Sequence, residues 1–136
     1  MEKKLVIKND ISEINKLAIF IEELGEELGL MPNMIFNLNL VLEEAVSNVI
    51  LYAYPEEKQH EIILTANMSD KNLIFVLLDT GKEFDPTQVP DADVTLSAEE
   101  RQIGGLGIFL IRQIMNEVKY QRIEGKNILT LIKHLD

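Results

Sequence analysis

Three groups of residues in this chain have types and spacings that could do chemistry. In the first, Glu44 and Asn48 stand four apart in a helix-patterned apolar run, with Asn37 a further step back on the same side. They fall beside Val41 and Ala45 at the border of the apolar stripe, while Glu43, Ser47 and Ile50 fall further round. A carboxylate and an amide at that border are partly desolvated, and such oxygen ligands suit Mg²⁺; the same spacing also fits a polar pair that only rims a core. In the second group, Leu77-Leu78-Asp79-Thr80-Gly81 brings an aspartate to the end of the most hydrophobic strand-like run. A carboxylate there can accept a hydrogen bond from an exocyclic amine, and Gly81 lets a flat ring approach the backbone. Asp-Thr-Gly is also an ordinary way to end a strand. In the third, Gly104-Gly105-Leu106-Gly107 opens a helical run after a long loop. Glycines at a helix start let backbone N–H groups close on phosphate oxygens, and the helix dipole favours the negative charge. A loop end needing positive φ does not explain three glycines so close to an apolar helix.

The remaining polar residues narrow the field. Neither Gly81-Lys82 nor Gly125-Lys126 has the glycine spacing or the following Ser/Thr of a P-loop. His60 and His134 have no second histidine or cysteine at ligand spacing and read as rim residues. Ser47 lacks the histidine companion of a hydrolase. Arg101 can reach a terminal phosphate or pair with the nearby acids Glu99, Glu100, Asp91 and Asp93. The absence of cysteine excludes disulfides, thiolate zinc sites and a Cys nucleophile. Lys+Arg 13 against Asp+Glu 23 gives a net charge of −10, which repels nucleic-acid backbones and anionic lipid headgroups. Nucleic-acid and membrane partners are therefore not expected, and with no apolar run of about eighteen residues the chain reads as cytoplasmic.

These groups need elements to hold them. Lys3 to Lys8 reads as a strand, and Asp10 with Glu13 as an N-cap and its capping-box partner. A helix carrying Leu17, Ile21 and Leu24 follows and ends near Gly29. Pro32 starts a second helix that Pro55 ends. His60 to Asn67 and Leu73 to Leu78 form a hairpin, the second strand apolar enough to be central and covered on both faces, or at least well buried. From Thr80 to Gly104 the pattern dissolves into a connection long enough to be a functional lid. A helix from Gly105 to Glu117 and strands at Val118 to Ile123 and Ile128 to Lys133, turning at Glu124 to Asn127, complete the order. With 136 residues and 46% hydrophobic content, this is one α+β domain. It is a two-layer sandwich with a mixed, mostly antiparallel sheet and three helices on one face.

Set in that order, LEEAVSNVILYAYP, DTGKEFDP and GGLGIFLIRQIMNEV resemble the N, G1 and G2 boxes of the GHKL superfamily of Bergerat-fold ATPases. The resemblance covers about the whole chain, and the short single-domain form is most similar to the bacterial anti-sigma factor serine kinases. It implies that Glu44 is the base, Asn48 binds Mg²⁺, Asp79 and Gly81 hold adenine, and Gly105 with Gly107 shapes the phosphate loop. Gly104, Leu106, Arg101 and Asn127 are further nucleotide-binding candidates. It also implies ATP and Mg²⁺ as cofactors, with a STAS-type anti-sigma-factor antagonist, a sigma factor and a second copy of the chain as partners. Glu83 and Ile103 stand where the boxes carry glycine, and Asn127 stands near the place of a common threonine. A non-catalytic ATP-gated binding module and a stand-alone ATPase are the alternatives.

Overall fold

The computed structural model describes residues 2–54, 58–88 and 105–135. The chain opens with strand β1, Glu2–Lys8, and a 3₁₀ turn, Ile11–Ile14, that leads into helix α1, Asn15–Leu28. Asp10 caps the turn by accepting from the Ser12 amide at 3.0 Å, while Glu13 reaches back past the cap to the Lys8 amide at 3.1 Å. The expected pair is thus present, but Glu13 reaches an amide two residues before the cap instead of the cap's own. Gly29 ends α1 in the left-handed region, at φ 67.

Helix α2, Pro32–Asn48, continues into a π-helical turn, Val49–Ala53. Pro32–Ala53 is long and apolar enough by composition to cross a bilayer, yet Leu38, Val41, Leu42, Ala45 and Val46 are buried in the core. It is the central helix of the helical layer, between α1 and helix α3, Gly105–Ile114. Strands β2, Glu61–Ser69, and β3, Asn72–Asp79, form the first hairpin; β4, Glu117–Ile123, and β5, Lys126–His134, form the second.

The sheet order is β1-β2-β3-β5-β4, and the two-layer α+β sandwich is the architecture observed. Every strand pairing is antiparallel, which corrects the expectation of a mixed sheet. The reason is the route of the chain. After β3 it passes through α3 to the far edge as β4, and only the hairpin return, β5, enters the slot beside β3.

Strand β3 is central, but only one of its faces is covered. Leu73, Phe75, Leu77 and Asp79 are buried, whereas Ile74, Val76 and Leu78 are only partly so. The continuous apolar run arises because the outer face of the sheet is apolar as well: Leu78 lies opposite Ile63 and Ile128, and Ile74 opposite Ile132. The second hairpin turn is also tighter than its sequence suggests. Glu124 (φ 49) and Gly125 (φ 78) alone make it, so Lys126 and Asn127 belong to β5 and not to the turn.

One-sided coverage is testable with two adjacent leucines. Leu77→Ala should cost about 2–5 kcal/mol of unfolding free energy, the range for deleting a fully buried leucine side chain. Leu78→Ala, on the outer face, should cost less than half as much in the same urea titration.

Candidate functional site

The site is built where α2 meets the ends of β3 and β5. The π turn widens the last turn of the helix, as π bulges commonly do near functional sites. It turns the Ala53 carbonyl toward the segment after β3, where it accepts from the Lys82 amide at 2.8 Å. Tyr54 then accepts the Thr80 amide on its hydroxyl at 2.8 Å, and Tyr52 stacks on Phe84 with ring centroids 5.3 Å apart. A Cβ on Gly81 would collide with the Ala53 carbonyl oxygen. Gly81 is therefore explained by the approach of helix backbone, a different reason from the approach of a ring.

Asp79 is 2% exposed and ends the inner face of β3. Its Oδ1 accepts from the Gly81 amide at 2.9 Å and from Asn127 Nδ2 at 2.8 Å; its Oδ2 takes no hydrogen bond among the described residues. Burial pushes this carboxyl above the ordinary range, and the bonds from Asn127 and Gly81 and the charge of Arg122 offset part of that push. Asn127, 4% exposed, sits directly across the ladder from both Asp79 and Arg122. The sequence read Asn127 as a turn residue. It becomes central because the tight turn moves it into β5.

A pocket is lined by Asn48, Ala45 and Val49 of the helix layer, Leu77, Asp79, Asn127 and Leu129 of the sheet, and Phe84, Pro86, Ile111 and Tyr120 around its mouth. The polar set, one carboxylate and two amides in an apolar surround, offers a planar polar ligand both acceptors and donors. The free volume in this conformation is only about 10 Å³, room for a single water. A ring the size of a purine does not fit this conformation, and the stretch from Phe84 to Pro86 forms part of the wall around it. That stretch is anchored, with the Phe84 amide on Asn127 Oδ1 at 3.3 Å and Arg112 Nη2 on the Thr87 carbonyl at 2.5 Å. The first nine residues of the expected lid are thus held in place, and its remainder, 89–104, lies outside the described residues.

Glu44 stands one helical turn before Asn48, partly buried against the first turns of α3. A Cβ on Gly107 would collide with Glu44 Oε2, so the absent side chain at Gly107 makes room for the carboxylate. Gly105 opens α3 and Leu106 follows it; Gly104 and Arg101 lie outside the described residues. Asn48 is 6% exposed and lines the pocket. Among the described residues no three His, Cys, Asp or Glu side chains cluster to hold a metal. Asn48 offers one amide oxygen at the pocket wall. Sequence reasoning missed Tyr52, Tyr54, Phe84, Tyr120 and Arg122. Only the strand register could have flagged Arg122; Tyr52, Tyr54 and Phe84 lie inside the N- and G1-box segments but were given no role of their own.

The sequence matches a known class. The family described as histidine kinase-like ATPase domain matches residues 7–133, and the chain belongs to that family. Among proteins of known name, the chain is similar to the serine/threonine-protein kinase BtrW of Bordetella bronchiseptica, 33% identical over 73% of this chain and 70% of the relative. It is also similar to the serine-protein kinase RsbW of Listeria monocytogenes, 29% identical over 93% of this chain and 82% of the relative. The RsbW of Bacillus subtilis is 26% identical over 88% and 77%.

The desolvated carboxylate has a thermodynamic consequence. Above the ordinary value of 3.8 and up to its raised folded value, Asp79 holds a proton in the folded state that the unfolded chain has released. Stability is therefore lost as pH rises through that window, and the penalty is complete above it. Asp79→Asn removes the charge but keeps an acceptor for Gly81 and Asn127. Without nucleotide it should be more stable than the wild type at pH 7.5, with the advantage shrinking toward pH 4. Urea unfolding at both pH values checks this.

Proposed function

We propose that the protein is an ATP- and Mg²⁺-dependent serine/threonine kinase of the anti-sigma type. In this reading it acts in the cytoplasm and phosphorylates a STAS-type anti-sigma-factor antagonist in a partner-switching system that also holds a sigma factor. The observation that carries the reading is the seating of Glu44: a carboxylate on a rigid helix, packed against the glycine start of α3 and one turn from an amide that lines a purine-suited pocket. The kinase names of the relatives point the same way.

Each residue then has a task. Asp79 accepts the exocyclic amine of adenine, Asn48 contributes one oxygen to the metal, and the backbone at the start of α3 faces the phosphates. Mg²⁺, when bound, would neutralise charge on the phosphate oxygens. Glu44 takes the proton from the incoming seryl or threonyl hydroxyl as the oxygen attacks the terminal phosphorus and the bridging oxygen leaves with ADP. Catalysis is otherwise positioning. Glu43 makes a useful contrast because it is engaged along its own helix, accepting from Asn39 at 3.3 Å.

Glu44→Ala should leave ATP affinity within a few-fold and slow phosphoryl transfer by roughly 10²–10⁴, whereas Glu43→Ala should stay close to wild type. Single-turnover transfer from saturating labelled ATP to a STAS-type antagonist from the same organism measures both. Transfer by Glu44→Ala at the wild-type rate would remove the general base and favour an ATP-gated binding module.

Asn48→Ala offers an independent check on the metal. Calorimetric ATP affinity should fall much more in Mg²⁺ than in EDTA. Equal losses in the two buffers would make Asn48 structural.

A further inference from the structure

Asn127 is the most heavily engaged polar side chain at this end of the sheet. Its Nδ2 donates to Asp79 Oδ1 at 2.8 Å and to the Lys82 carbonyl at 2.9 Å. Its Oδ1 accepts from Arg122 Nη1 at 3.1 Å, from the Phe84 amide at 3.3 Å and from the Tyr120 hydroxyl. The amide can sit only this way round: both partners of Nδ2 accept, while Arg122 Nη1 and the Phe84 N–H can only donate to Oδ1. Arg122 Nη1 also reaches the Gly81 carbonyl at 2.8 Å, which closes the arrangement on the other side of Asp79.

We infer that Asn127 is a positioning residue for purine selection. It occupies one oxygen of Asp79 and so presents the other, Oδ2, as the acceptor for the purine 6-amino group. This rests on the nucleotide reading above, and it assigns Asn127 a role that works through Asp79 and not by contact with the base. Asp79 Oδ1 is saturated by Asn127 and Gly81, so the carboxylate cannot rotate without breaking two buried bonds. Among the described residues nothing donates to the oxygen left over, which leaves it open to a ligand. A purine with a carbonyl at position 6 sets acceptor against acceptor there and is rejected. Among the described residues, the charge that acts on this carboxylate is that of Arg122 on β4, and the neighbouring Tyr120 feels Glu83 and Asp85 of the segment after β3 as well as Arg122.

The test is a selectivity ratio, which general structural damage would not change. Calorimetry on the full chain at pH 7.5 with Mg²⁺ compares ATP with ITP, which carries a carbonyl in place of the 6-amino group. Wild type should prefer ATP by roughly a hundredfold. Asn127→Leu, similar in size but without a donor, should bring the ratio below about tenfold, mostly through lost ATP affinity. Asn127→Ala, which removes the donor to Asp79 Oδ1 altogether, should also erode it. It serves if the leucine variant does not fold. In an Asp79→Asn background, where the ratio is already low, Asn127→Leu should change it no further. A folded Asn127 variant that weakens ATP and ITP by the same factor would overturn the inference and leave the nucleotide site standing. A wild-type chain that binds neither nucleotide would overturn the nucleotide reading and this inference with it.

Discussion

A carboxylate buried at the end of the central strand is the constraint around which this end of the molecule is arranged. The inner face of β3 runs Leu73, Phe75, Leu77 and then Asp79, and that of β5 runs Leu131, Leu129 and then Asn127. The core is thus apolar along its length and polar at one end, where the helical layer reaches its π turn. Burying Asp79 costs desolvation, which the hydrogen bonds from Gly81 and Asn127 and the nearby Arg122 reduce but do not remove. An arrangement built only for stability would place an apolar residue there. The retained cost fits a group kept ready for a ligand.

The helix layer is fastened to that end of the sheet by backbone contacts. Ala53 accepts from Lys82, Tyr54 from Thr80, and Gly81 has no side chain because the Ala53 carbonyl fills the space. α2 therefore carries Glu44 and Asn48 on a helix whose end is fixed to the strand that carries Asp79. Phosphoryl transfer depends on positioning, and such fastening is what the base and metal ligand proposed on this helix require. Phe84 and Pro86 wall the pocket in this conformation, and their stretch is tied down by bonds to Asn127 and Arg112.

Much of this was legible in the sequence because it depends on local physics. The 3.6-residue periodicity located α1, α2 and α3, the glycine at position 29 ended α1, and alternation and turn residues located both hairpins. Family membership rests on box residues whose order in the chain is itself the signal. Asp79 could be singled out because an acid at the end of an apolar strand is unusual whatever surrounds it. The errors were of a different kind. A continuous apolar strand looks the same whether its second face is covered by helices or left open beside other apolar strands. A tight turn of Glu124 and Gly125 differs from a longer one by two residues that sequence alone does not place.

Residue types and spacing determined the elements, the α+β sandwich, and the presence of Glu44, Asn48 and Asp79 as chemically able groups. Only the tertiary structure decided what those groups touch. Register across three strands set Asn127 between Asp79 and Arg122, the π turn determined why position 81 has no side chain, and the packing of α3 on α2 gave Glu44 its seat at Gly107. The physical reason is one of range: helix and turn preferences act between residues a few positions apart. The contacts that make this site join residues 79 with 127, 53 with 82 and 44 with 107, and they exist only once the two layers have packed.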